Sequence, residues 1–223
     1  MALTTIGLMA LLGCFTGFMA GLLGIGGGMI ITPFLIMLIP SSLIPHEHIV
    51  HVAIATSLAT IAFTSLSSVR AHHKRGAVLW NVVASVAPGI LVGAVVGAQI
   101  AGWLPTFWLS LIFAAFVGFS AFKMFLNKSP RPDRNLPGTI GKFFMGIAIG
   151  ILSALVGAGG GFISVPWMIW CNVKMQNAVA TSAAFGFPIA LFGTIGYIIS
   201  GWNVSGLPPW PIALGYICIP ALF

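Results

Sequence analysis

Two runs of three glycines are the strongest chemical signal in the chain. Each run interrupts a long apolar segment, and a helix is expected to stop there because glycine costs about 1 kcal/mol relative to alanine inside a helix. An interrupted helix presents unpaired N–H groups and the positive end of its dipole, which favours a bound anion. We therefore predict that each run forms one half of an anion-binding site. The residues are Gly26, Gly27 and Gly28 in the first run and Gly159, Gly160 and Gly161 in the second.

Hydroxyl side chains follow both glycine runs. The pair Thr56-Ser57 in the first half matches the pair Thr181-Ser182 in the second, and alanine precedes each pair. A hydroxyl can donate to an oxyanion without a buried cation, which would be costly in a bilayer. The alternative is that the hydroxyls bond to their own helices and the glycines only permit close packing. Repetition of both features favours a site, with Thr32 and Ser164 as weaker candidates.

Both features belong to an internal duplication. The segment GIGGGMIITP at 24–33 aligns with GAGGGFISVP at 157–166, and every glycine and proline coincides. The glycine run leaves about 20 residues on one side and about 11 on the other, which correspond to a full and a half membrane crossing. We therefore predict that each half contains a helical hairpin with a shorter, re-entrant arm.

The elements that carry these residues must cross a membrane. Nine Lys and Arg and two Asp and Glu are the only charged residues among 223, whereas 59% of the chain is hydrophobic. A soluble domain carries about 25% charged residues, so a soluble fold, a disordered chain and a nucleic-acid-binding surface are excluded. The uncharged stretches are helical in length and far longer than the strands of an outer-membrane barrel. The predicted fold is an all-α integral membrane protein, a helical bundle.

Polar connectors divide the bundle into two halves. The longest connector, 123–142, holds five of the nine basic residues together with Asp133. We predict a first membrane repeat over 1–126, a basic cytoplasmic linker over 127–139 and a second membrane repeat over 140–223. The apolar segments lie at 4–39, 49–69, 77–101, 104–126, 140–171, 178–200 and 209–223.

The basic residues also predict the topology. If each glycine-broken segment goes out and comes back, all nine Lys and Arg, Lys174 included, fall on the cytoplasmic side, as the positive-inside rule prefers. That arrangement makes the two repeats inverted. The first segment is expected to be a retained span and not a signal peptide, because it lacks a basic n-region. A final span is expected to be missing from the second half, because the chain ends inside an apolar run.

Histidines and acids suggest other chemistry. His46, His48 and His51 resemble a metal cluster, but on a helix the first two would face opposite sides, which favours polar residues at a membrane interface. Glu47 and Asp133 both lie in loops, so the predicted spans contain no carboxylate for proton coupling. Coupling would then run through His51, through the proton of the substrate, or be absent.

No enzyme, cofactor or metal centre is predicted. The sequence offers no Ser-His-Asp set, no H-E-x-x-H helix and no paired intramembrane acids. Cys14, Cys171 and Cys218 are isolated among apolar residues and are interpreted as small buried hydrophobes.

With these motifs, the chain resembles the TauE/SafE family of membrane transporters. The resemblance rests on GLLGIGGGMIITP at 21–33, ALVGAGGGFISVP at 154–166 and NAVATSAAFGFP at 177–188. It implies a multi-pass protein of the bacterial inner membrane that exports sulfite or a small organosulfur anion such as a sulfonate. The chain departs from the family where it has Ala-Thr-Ser, since the family often has Gly-Thr-Ser there.

The residues alone predict a secondary transporter of a small anion, and the sulfur chemistry comes from the resemblance. We expect alternating access around a site between the two repeats. The expected partners are a small anion and the lipid bilayer, without nucleic acid, and a homodimer is compatible with the sequence. Two alternatives stay open. One is a divalent metal-ion transporter that uses the three histidines, and the other is a non-transporting membrane scaffold in which the glycines only pack.

Overall fold

A computed structural model describes residues 28–38, 44–125 and 136–202, with short pieces at 13–14, 18, 204, 207 and 213–219. Seven helices and one two-stranded antiparallel hairpin are delimited within these residues. The helices are α1 (Gly28–Leu38), α2 (Ile49–Lys74), α3 (Trp80–Trp103), α4 (Thr106–Phe125), α5 (Thr139–Val156), α6 (Gly161–Trp170) and α7 (Met175–Gly201), and the strands are β1 (Ala213–Leu214) and β2 (Ile217–Cys218).

The predicted helical membrane bundle is confirmed. Four of the delimited helices, α2, α3, α5 and α7, are long and apolar enough to cross a membrane. The centre of the bundle is the first half of α2, where every residue from Ile49 to Ala59 is buried, and α7 packs beside it. The inversion of the repeats and the linker bounds stay predictions.

The second glycine run breaks its helix as the sequence predicts. The helix α5 ends at Val156 and α6 begins at Gly161. Between them, Gly157 and Gly160 adopt left-handed backbone conformations with φ of 67° and 79°. A residue with a Cβ would be disfavoured there by about 1–2 kcal/mol, so glycine is what lets the chain turn. The helix α6 spans 10 residues, about 15 Å, which is half of the hydrocarbon core.

Close packing between α3 and α5 holds this broken segment against the bundle. The two helices approach so closely that an added Cβ on any of several glycines would collide with the backbone of the facing helix. Small residues four apart permit such contact between membrane helices. The glycines are Gly89, Gly93 and Gly97 on α3 and Gly146 and Gly150 on α5.

The structure differs from the sequence prediction in two segments. The helix α2 continues to Lys74, past the predicted end at 69, because basic residues are favourable near a helix C-terminus. The apolar segment 209–223 does not form a helix in its described part, where Ala213 pairs with Cys218 in an antiparallel hairpin. Three prolines, Pro208, Pro209 and Pro211, precede this hairpin and disfavour a helix.

Candidate functional site

Two pairs of buried hydroxyls join the short helices to the long ones. The Oγ1 atom of Thr32 on α1 lies 3.1 Å from the Oγ atom of Ser57 on α2. The Oγ atom of Ser164 on α6 lies 2.8 Å from the Oγ atom of Ser182 on α7. All four side chains are buried. Each half therefore makes the same contact, in which a hydroxyl of the short helix meets the serine of the Thr-Ser pair.

The second glycine break lies between these two hydroxyl pairs. The Ser57 hydroxyl lies 3.0 Å from the carbonyl oxygen of Ile54 in its own helix and 3.2 Å from the carbonyl oxygen of Gly157, the first residue of the break. The Ser164 hydroxyl donates to the carbonyl oxygen of Gly160, the last residue of the break, at 2.9 Å. The two pairs thus hold the break at both ends.

The last glycine of the first run, Gly28, packs against the second glycine break. An added Cβ on Gly28 would collide with the carbonyl oxygen of Gly157 and with the side chain of Ile61. Only glycine at position 28 lets α1 approach the break this closely. The structure therefore brings the end of the first run against the second, while Gly26 and Gly27 lie outside the described residues.

The backbone of the break offers hydrogen-bond donors. Residues 157–161 are all buried. Among the described residues, the N–H groups of Gly159, Gly160 and Gly161 have no backbone acceptor, whereas Ser164 N–H donates to Gly160. These groups lie at the N-terminus of α6, the positive end of its dipole. Buried N–H groups without acceptors are rare in proteins. An anion bound at this position would accept hydrogen bonds from these N–H groups.

Ser153 adds a hydroxyl that the sequence did not indicate. It lies on the last turn of α5, is 1% exposed, and its Oγ atom has no hydrogen-bond partner within the part of the chain that the structure describes. That atom lies 3.4 Å from the position that a Cβ on Gly160 would take. The duplication gave no signal for it, because its counterpart in the first half is Ala20.

The threonines of the two Thr-Ser pairs are engaged beside the break. Thr181 accepts a hydrogen bond from the N–H of Leu79 at 3.0 Å, and Thr56 accepts one from the N–H of Cys218 at 3.0 Å. Thr181 on α7 thus binds the backbone that follows α2, and Thr56 on α2 binds the backbone that follows α7. Each threonine therefore contacts the other half of the chain. The two threonines therefore cross-link the halves next to the hydroxyl pairs.

Comparison with known proteins identifies the family. The family model of the sulfite exporter TauE/SafE matches residues 9–223. The chain belongs to the TauE/SafE family. Membership makes it a multi-pass membrane transporter, in keeping with a bacterial inner membrane, and implies a small anionic substrate.

Relatives of this TauE/SafE protein carry matching descriptions. A probable membrane transporter protein of Haemophilus influenzae is 34% identical over 98% of this chain and 83% of its own length. The probable membrane transporter protein YdhB of Bacillus subtilis is 30% identical over 83% and 76%. The probable membrane transporter protein MJ0441 of Methanocaldococcus jannaschii is 28% identical over 96% and 78%. No solved structure matches the chain.

In this TauE/SafE protein, His51 lies apart from the hydroxyl pairs, near the start of α2. Its Nε2 atom lies 3.0 Å from each of the carbonyl oxygens of Ala101 and Leu104, so Nε2 carries a hydrogen and donates. The ring stacks on Tyr216, with centroids 5.1 Å apart. His51 therefore ties the beginning of α2 to the end of α3.

The other histidines show no metal-binding arrangement. His46 is exposed, as is Glu47. Within the described ranges, no group of three or more His, Cys, Asp or Glu side chains is placed to hold a metal ion. The metal-transporter alternative therefore has no ligand set in this part of the chain.

Proposed function

We propose that this TauE/SafE protein exports a small sulfur oxyanion, sulfite or a small organosulfonate, by alternating access around the break at 157–160. The observation that carries the proposal is the buried break itself, where N–H groups and the Ser153 hydroxyl lie together without a hydrogen-bond partner among the described residues. A bound oxyanion would satisfy both kinds of donor. The protein then acts as a carrier and not as an enzyme.

The chemistry of the donors favours an anion with several oxygens. Sulfite and sulfonate each present three oxygen atoms, which can accept from donors in different directions. The break supplies backbone N–H groups, and Ser153 supplies a hydroxyl that is free to donate among the described residues. The hydroxyls of Ser57 and Ser182 already take part in hydrogen bonds, so each would have to turn to reach the anion. A neutral donor set avoids the cost of a charged side chain at membrane depth.

The proposed site spans both halves. In the second half it comprises Gly159, Gly160 and Gly161 with Ser182, and in the first half Gly28 and Ser57, to which the duplication adds Gly26 and Gly27. Thr56 and Thr181 complete it as the cross-links that would break and re-form when the halves move. Sites between repeats with broken helices are typical of alternating-access carriers. The net charge of +7 favours anion capture at the basic face, which suits export.

We propose His51 as the residue that couples transport to protons. Nε2 is held by two carbonyl oxygens, so the exchangeable proton would be on Nδ1, which lies 3.5 Å from the Thr106 hydroxyl. We expect His51→Gln to remove the response of flux to an imposed pH gradient, measured in proteoliposomes. An unchanged response would exclude His51 from coupling.

Ligand-dependent thermal unfolding of the detergent-solubilised protein tests the proposed substrate class. The ligands are sulfite, thiosulfate, methanesulfonate, sulfate, chloride and Zn²⁺. A ligand at about 100 times its dissociation constant stabilises the state that binds it by about 2.7 kcal/mol. We expect the unfolding temperature to rise with sulfite or methanesulfonate and to stay unchanged with chloride and Zn²⁺. A rise with Zn²⁺ alone would contradict the proposal. An unfolding temperature that rises with none of the ligands would contradict it as well.

A further inference from the structure

A cavity lies where α2, α3 and α7 meet, and it shares no lining residue with the glycine break. Its volume is about 880 Å³, at the upper end of the range for ligand-binding pockets. Its polar lining residues all belong to α2, which forms the polar side, whereas the lining residues of α3 and α7 form the apolar side. The lining residues that matter here are Ser67, Arg70 and His73 of α2, Trp80 of α3 and Phe187 of α7.

The polar side is made of hydrogen-bond donors. Arg70 is exposed and carries a permanent charge on a planar group that fits phosphate oxygens in a bidentate manner. His73 accepts at Nδ1 from the indole N–H of Trp80 at 3.1 Å. Because indole only donates, His73 Nδ1 is the unprotonated nitrogen of the neutral ring, and Nε2 is a donor. Arg70 and His73 stand one turn apart and both line the cavity.

No described carboxylate neutralises this charge. The chain has two acids, Glu47 and Asp133, and Asp133 lies outside the described residues. Glu47 precedes the opposite end of α2, roughly 35 Å from Arg70 along the helix. The cavity therefore presents a positive charge to a ligand.

The apolar lining includes side chains that are exposed on candidate membrane spans. Leu66 is 54% exposed and Trp80 is 47% exposed, although both line the cavity and belong to candidate membrane spans. Phe187 and Pro188 of α7 form the facing wall. An inorganic anion would leave this wall uncovered, whereas a ligand with an acyl chain would cover it.

We propose that this cavity binds an anionic phospholipid, with its phosphate on Arg70 and His73 and its acyl chain along α7. The positive-inside rule places the basic end of α2 on the cytoplasmic side, where anionic lipids are attracted to basic pockets between membrane helices. Tryptophan at the rim suits the lipid–water interface. This inference does not depend on the transported substrate.

Titration of the detergent-solubilised protein with phosphatidylglycerol or phosphatidylcholine, followed by thermal unfolding, tests the lipid site. We expect phosphatidylglycerol to stabilise the protein more than phosphatidylcholine does. Loss of one basic contact in Arg70→Gln should weaken phosphatidylglycerol binding about fivefold. The variant should fold, because Arg70 is exposed.

Arg75→Gln is the matched control, because Arg75 caps the same helix but does not line the cavity. It should bind phosphatidylglycerol like the unaltered protein. The proposal would be overturned if Arg70→Gln and Arg75→Gln lost the same phosphatidylglycerol affinity. It would also be overturned if phosphatidylglycerol and phosphatidylcholine stabilised the protein equally. So would stabilisation by glycerol 3-phosphate that depends on Arg70, since that would indicate a site for soluble anions. Ser153→Ala should keep the lipid response, which separates this test from that of the transport site.

Discussion

Ser153→Ala is expected to weaken sulfite binding at least about tenfold while stabilising the unliganded protein. A hydrogen bond to a charged group contributes about 1.5–3 kcal/mol, whereas a buried hydroxyl without a partner costs about 1–3 kcal/mol. Removing the Ser153 hydroxyl therefore affects binding and stability in opposite directions. Calorimetric titration with sulfite and thermal unfolding without ligand measure the two effects on the same sample.

Thr194→Val provides the matched control. Thr194 carries the other buried hydroxyl that lacks a partner among the described residues, and it lies about 18 Å along α7 from Ser182. The substitution should stabilise the protein in the same way and leave sulfite affinity unchanged. If Ser153→Ala binds sulfite as tightly as Thr194→Val does, Ser153 is not part of the site.

Gly28→Val is expected to abolish anion flux and to lower the free energy of unfolding. A Cβ at this position would collide with the Gly157 carbonyl, which Ser57 already holds. The helix α1 would have to move away from the break, and overpacking of this kind costs about 1–3 kcal/mol or more. Flux in proteoliposomes and denaturant unfolding measure the two consequences.

Two further variants make the Gly28 result interpretable. Gly118→Val places the same side chain on α4, where an added Cβ would meet no atom beyond its own helix within 4 Å among the described residues, so flux should persist. Gly160→Ala meets first the flexible end of Ile189, and its left-handed backbone costs about 1–2 kcal/mol. Gly160→Ala should therefore fold. It should still lose flux, because the added methyl group would lie beside the Ser153 hydroxyl in the proposed site. Normal flux in Gly28→Val would show that contact between the two glycine runs is dispensable.

The features that the sequence predicted best are those set by local backbone chemistry. Each glycine disfavours a helix by about 1 kcal/mol relative to alanine, so the run at 159–161 predicted the break between α5 and α6. The duplication then pointed to Ser57 and Ser182, and both lie in the hydroxyl pairs. Hydropathy predicted most of the helices, because a membrane span must be apolar along its length.

Other features depend on which elements meet in three dimensions. Ser153 is an ordinary residue of an apolar helix until α6 is placed beside it. The partners of Thr56 and Thr181 are backbone N–H groups more than 100 residues away, and no pattern along the chain indicates them. The hairpin at 213–218 lies in an apolar run, and hydropathy does not distinguish a buried strand from a helix.

Counterflow of radiolabelled sulfite in proteoliposomes tests the central claim most directly, because it requires a carrier with a site that faces each side in turn. Vesicles loaded with unlabelled sulfite should accumulate label with the unaltered protein and with Thr194→Val. They should fail to do so with Gly160→Ala, and Ser153→Ala should need a higher sulfite concentration. Counterflow that is absent from the unaltered protein for sulfite and methanesulfonate, or intact in Gly160→Ala, would contradict an oxyanion site at the glycine break.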